Sequence, residues 1–86
     1  MDDDGDAPAF VVRAVTVAPA SSRVFDEDEW RDAIVLLTHG EIVLESLSGT
    51  SHGFRRGAIL WLTGLPLRAF HNSGREHAVL VAVSRR

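Results

Sequence analysis

From Ala9 onward the apolar residues come in short runs of Val, Ile, Leu and Phe, and Gly40, Gly49, Gly53, Gly57, Gly64 and Gly74 stand between them. Runs this short, β-branched and bounded by turn formers, read as strands joined by tight turns. They predict strands near Phe10 to Val17, Ala33 to Thr38, Glu41 to Leu47, Ala58 to Leu62, Leu67 to Phe70 and His77 to Val83. In the third of these, Glu41, Val43 and Glu45 alternate with Ile42 and Leu44, the period of a strand with one face in water and the other in a core. The acid-led stretch Asp26 to Asp32 allows one or two helical turns. Gaps of six to ten residues between runs suit antiparallel neighbours, because a parallel crossover needs a dozen or more. No internal repeat is evident, and the pattern predicts one all-β domain, a small antiparallel sandwich or barrel.

Composition narrows the chemistry. At 86 residues a domain buries only about 60 to 65% of the surface its unfolded chain exposes, so a partner chain is expected. No run approaches the ~18 apolar residues of a membrane span, and the acidic start MDDDGDAPAF is unlike a basic secretory leader; these point to a cytoplasmic protein. Cysteine is absent, which removes disulfides, thiolate metal sites and a cysteine nucleophile. Every basic residue is Arg and none is Lys, so lysine Schiff-base chemistry is excluded. The net charge of −3 owes four acids to Asp2, Asp3, Asp4 and Asp6. Residues 1–8 are therefore expected to form a disordered acidic tail ahead of a domain over 9–86. The domain itself, eight acids against nine Arg, lacks the basic excess that nucleic-acid binding requires.

The stretch Gly57 to Asn72, GAILWLTGLPLRAFHN, carries the most specific signal. Its frame resembles the second motif of the cupins: a glycine, a proline and glycine turn, a histidine ligand eleven residues after the first glycine and an asparagine fifteen after it. Gly57 and Asn72 keep that spacing, Gly64 and Pro66 form the turn, and Arg68 stands where the histidine would be. Gly40 corresponds to the glycine that closes the first motif, and the following SGREHAVLVAV is similar to the family's return strand. The resemblance spans Trp30 to Val83, about two thirds of the chain. It implies a small antiparallel β-barrel or jelly roll, a cupin-like double-stranded β-helix; another β-sandwich or an open barrel of the OB type is the alternative.

The resemblance also implies what has been lost. The first motif's glutamate position falls at Ala33 and its histidine positions among Asp26 to Glu29, where no histidine occurs. A guanidinium repels a metal, so no metal and no cofactor are expected. If the barrel is built as the family implies, Arg68 points into the cavity and could grip a carboxylate, phosphate or enolate, with Phe70 and Trp61 as apolar lining. Of the histidines, His39 and His71 are the weak candidates for moving a proton; His39 shares the inward parity of Ala33 but directly precedes the Gly40 turn and is expected at the rim, His71 is expected to face outward, His52 to lie in a turn and His77 to open the last strand. Arg68 could instead pair with Glu27, Glu29 or Glu76, and the aromatics could simply fill the core. Three functions remain open: a metal-free module holding a small anionic organic ligand, a metal-independent isomerase, cyclase or epimerase, and a filled barrel that serves assembly. A homodimer through sheet faces and the strand Phe10 to Val17 is the expected partner arrangement.

Overall fold

The structure, a computed structural model, describes residues 9–85; the expected acidic tail over 1–8 lies outside them. Eight strands and one short helix follow in the order β1 (Phe10–Val17), β2 (Ser21–Val24), α1 (Glu27–Trp30), β3 (Ala33–His39), β4 (Glu41–Ser46), β5 (Ser51–Arg55), β6 (Ile59–Trp61), β7 (Leu67–Asn72) and β8 (Ala78–Arg85). They form two four-stranded sheets, β1-β8-β3-β6 and β2-β7-β4-β5, and every pairing is antiparallel. This is the two-sheet jelly-roll architecture. The expected jelly roll is present as a sandwich of two sheets: among the described residues no ladder joins β1 to β2 or β6 to β5 to close it into a barrel.

Two strands escape the hydrophobic pattern. The sequences SSRV of β2 and SHGFR of β5 have little apolar content because each is an outer strand of its sheet and packs on one side only. Their existence is dictated by their neighbours β7 and β4, whose backbone groups they pair.

The core lies between the sheets. Val15 and Val17 of β1, Ala33, Val35 and Leu37 of β3, Leu60 of β6, and Ala78, Leu80 and Ala82 of β8 meet Ile42 and Leu44 of β4 and Phe70 of β7. Trp30, delivered by α1, is fully enclosed and lies 5.1 Å from Phe70, centroid to centroid. Phe25 meets the same Phe70 ring edge-on at 5.9 Å. The helix itself is held by Asp26, whose side chain accepts from the Asp28 amide at 3.1 Å, an N-cap that satisfies one of the free amides of a first turn.

Two residues of the resemblance have structural tasks that any chemistry would leave unchanged. Gly40 carries the chain from β3 in one sheet to β4 in the other at φ +73°, and a Cβ there would come within 2.6 Å of the His77 carbonyl oxygen. Only glycine meets both demands. Asn72 is the one buried polar residue in the described core. Its amide donates to the carbonyls of Val17 (2.9 Å) and Glu76 (2.8 Å), and its oxygen accepts from the Gly74 amide at 2.9 Å. One side chain thus ties β7, the turn after it and the end of β1 together, which is how an asparagine earns burial.

Candidate functional site

The space between the sheets is filled by side chains. The inward positions of β3, β4, β7 and β8 are occupied by Ala33, Val35, Leu37, Ile42, Leu44, Phe70, Asn72, Ala78, Leu80 and Ala82. Among the described residues no three His, Asp or Glu side chains gather closely enough to hold an ion, and Asn72, the one polar group in this set, spends its hydrogen bonds on backbone. The donor set of the described residues therefore does not fit the metal usual in cupins.

Three residues expected to line one cavity stand on three different surfaces. Phe70 is fully buried and faces inward, as expected. Trp61 is 53% exposed and points away from the core, because Leu60 takes the inward position of the three-residue β6. Arg68, expected to point inward two residues from Phe70, is on the outside. The cause is a β-bulge: Glu45 pairs with Ala69 and Ser46 with Leu67, so Arg68 is the extra residue of β7 and alternation is broken there. A second bulge has the same effect on His39, since Leu37 and His39 pair with Leu80 and Val79 and leave Thr38 as the extra residue. His39, expected at the rim because it precedes the Gly40 turn, is exposed there, and its Nδ1 sits 3.0 Å from the Thr38 hydroxyl. His52 lies within β5 rather than in a turn, and His77 is exposed just before β8.

On the outer face of β2-β7-β4-β5 the structure brings His71 and Arg68 together through a residue not singled out in the sequence, Glu45. The Ser22 hydroxyl lies 2.6 Å from His71 Nδ1, and His71 Nε2 lies 2.8 Å from Glu45 Oε1. Glu45 Oε2 in turn faces Arg68 Nε at 3.8 Å, and Arg68 donates to the Leu47 carbonyl at 3.2 Å. Ser22 stands opposite His71 across the β2–β7 ladder, which is why the row forms. Arg68 thus pairs with Glu45 and not with Glu27, Glu29 or Glu76. Beside the row, a depression of about 260 Å³ opens over Gly53, whose missing side chain leaves room between Val43, His71, Glu41 and Arg55.

The outer face of the other sheet has the opposite character. Val12, Val83, Ile34 and Trp61 form one cross-strand row, and Ala14, Val81, Leu36 and Ile59 form the next. No charged residue stands in either row. Val12 (66%), Ile34 (49%), Ile59 (68%) and Trp61 (53%) are all largely open to solvent, with Phe10 beside them at the end of β1. A contiguous apolar sheet face of this kind is uncommon on the surface of a monomeric protein.

No family model matches the chain, and no curated protein matches it by sequence. Solved structures share its fold. A Cupin 2 conserved barrel domain protein from Salinispora arenicola superposes with a TM-score of 0.69 at 23% identity, over 96% of this chain and 68% of its own. A cupin domain from Bordetella pertussis gives 0.64 at 16% identity, over 94% of this chain and 85% of its own. A protein from Silicibacter pomeroyi described as a sugar phosphate isomerase from a cupin superfamily gives 0.65 at 24% identity over 95% of this chain, which spans 54% of that longer protein. The chain has the cupin fold.

Proposed function

We propose that this chain is a filled cupin-fold module whose working surface is the apolar outer face of β1-β8-β3-β6, and that a second copy of the same chain covers it. The observation that carries this reading is the pair of charge-free rows, Val12–Val83–Ile34–Trp61 and Ala14–Val81–Leu36–Ile59. A two-fold interface sets a surface against its own copy, and a face without charges meets no like charge when it does so. Three strands of six residues and the three-residue β6, at ~4.8 Å between strands and ~3.4 Å per residue, give about 340 Å² in projection. Side chains standing off the sheet raise the accessible area, so two copies bury on the order of 1,000 Å², where specific interfaces begin. β1 adds an unpaired edge beside that face, which a partner would also protect. Acrylamide quenching of Trp61 over a dilution series tests the reading. Quenching that is weak at high protein concentration and rises on dilution supports it, and quenching that is strong and independent of concentration contradicts it.

The outer row of the other sheet favours a second reading, a small-anion site. Arg68 supplies a guanidinium at the surface and His71 a group able to move a proton, both set by Glu45. The description of the Silicibacter pomeroyi protein as a sugar phosphate isomerase suggests for this chain a phosphate held by Arg68 and acid or base work by His71 without a metal. Isomerisation of a sugar phosphate that is lost in both Arg68→Ala and His71→Gln supports it; activity absent from the wild-type protein, or retained in both variants, refutes it.

A further inference from the structure

The corner where β1 of one sheet meets β2 of the other holds a surplus of hydrogen-bond donors. Arg13 on β1 and Arg23 on β2 both stand on inward positions, opposite Ala82 and Phe70 respectively. They converge across the gap on one residue of α1, Glu29. Arg13 donates to Glu29 Oε2 at 3.3 Å and to the Glu29 carbonyl at 2.6 Å, and Arg23 donates to the same Oε2. The Arg13 guanidinium lies 5.1 Å from the ring centroid of Trp30. Two guanidinium charges thus share a single carboxylate oxygen, which leaves a surplus positive charge at a half-buried corner: Glu29 is 21% exposed, and the Arg13 and Arg23 side chains keep 38% and 40%, open enough for a dissolved anion to reach them.

Hydrogen-bond accounting points the same way. Among the described residues, the buried side-chain nitrogens and oxygens without a partner are Arg23 Nε and Trp30 Nε1. Both are N–H donors, both belong to this corner, and Trp30 is fully enclosed. Buried donors of this kind are rare and costly when left unmet. Donors are in excess, positive charge is in excess, and an aromatic face backs the guanidinium; what would complete the corner is an acceptor carrying negative charge. An apolar ligand or a cation meets none of these needs.

We infer that the Arg13–Arg23–Trp30 corner is a binding site for a small oxyanion of the carboxylate or phosphate class, which shares the two guanidiniums with Glu29. The site is separate from the Arg68 row and from the apolar sheet face, and it stands or falls independently of both proposed functions. Guanidinium forks hold such anions through paired N–H donors, and the carboxylate of Glu29 already demonstrates that the corner accepts one. Glu29 also sets the affinity: as the only acid between the two arginines, it competes with the incoming anion for the same donors.

That competition makes the test one of sign. Sodium phosphate and sodium acetate are titrated separately into ¹⁵N-labelled protein, with sodium chloride at matched ionic strength as control, and the indole N–H resonance of Trp30 is followed. Saturable movement of that signal in phosphate or acetate, beyond the chloride control, is expected; which probe acts distinguishes phosphate from carboxylate chemistry. Arg23→Gln should weaken the phosphate or acetate dissociation constant by about tenfold or more, the equivalent of one charged hydrogen bond. Glu29→Gln should strengthen it by a similar factor because it removes the competitor. Arg23→Lys keeps the charge without the Nε donor and should weaken binding in the same direction, which covers a poorly folded Arg23→Gln. No saturable shift with either anion, or a dissociation constant that is unchanged in Glu29→Gln and in Arg23→Lys, overturns the inference.

Discussion

Replacing Trp61 by alanine removes the largest side chain on the proposed pairing face. Trp61 lies in β6 opposite Ile34 and is 53% exposed. With about 250 Å² for a whole tryptophan, that leaves about 130 Å² for a partner to cover. At ~25 cal/mol per Å² the covered area contributes about 3 kcal/mol per protomer, of which alanine would keep a small part. A two-fold interface presents the residue twice, so the dimer loses about 4 to 6 kcal/mol if both rings are fully enclosed. Rim placement on an outer strand can halve this, and the remainder still raises the dissociation constant by about a hundredfold. Sedimentation velocity over a concentration series measures that constant, and far-UV circular dichroism confirms that the sheets persist. A dissociation constant within about threefold of the wild-type value, with the fold intact, refutes the reasoning, because area of this size cannot leave an interface without effect.

Two further substitutions separate structural from surface roles. Asn72→Ala should lower the unfolding free energy by about 2 to 3 kcal/mol, since it strands the Val17 and Glu76 carbonyls and the Gly74 amide together; urea denaturation reads this, and a loss below about 1 kcal/mol would deny the residue its fastening role. Arg68→Ala should cost less than about 1 kcal/mol in the same assay, because a half-exposed pair with Glu45 at 3.8 Å and one surface carbonyl bond are screened by water, and a cost of several kcal/mol would mean that the bulge depends on it.

The parts of the fold written in local pattern were legible in the sequence. The six apolar runs became β1, β3, β4, β6, β7 and β8, with ends shifted by a residue or two, and α1 fell inside the acid-led stretch. Gly40 and Asn72 were found as motif residues, and the structure supplies the backbone reasons for both. The outer strands β2 and β5 were not legible, because polar sequences such as SSRV and SHGFR become strands only where a neighbour offers its ladder. The direction of Arg68 failed for a different reason: it was argued from strict alternation, and a one-residue bulge breaks that alternation, whereas His39 stands at the rim, where its place before the Gly40 turn put it. Nothing in the local sequence marks Thr38 or Arg68 as the extra residue. The Glu45–His71–Ser22 row was hidden because it joins three strands distant along the chain, and the Arg13–Arg23–Glu29 corner because its three consecutive elements meet only when β1 and β2 enter different sheets.

Molar mass in solution decides whether a second copy covers the apolar face. Light scattering at micromolar concentration is made on the wild-type protein and on Ile34→Glu, which puts a carboxylate in the row between Val83 and Trp61 and sets it against its own copy in any two-fold pair. The expected result is twice the chain mass of 9.4 kDa for the wild type, falling to a single chain mass for Ile34→Glu with its circular dichroism unchanged. A wild-type protein that scatters as one chain, or an Ile34→Glu protein that remains a dimer, would contradict pairing through this face.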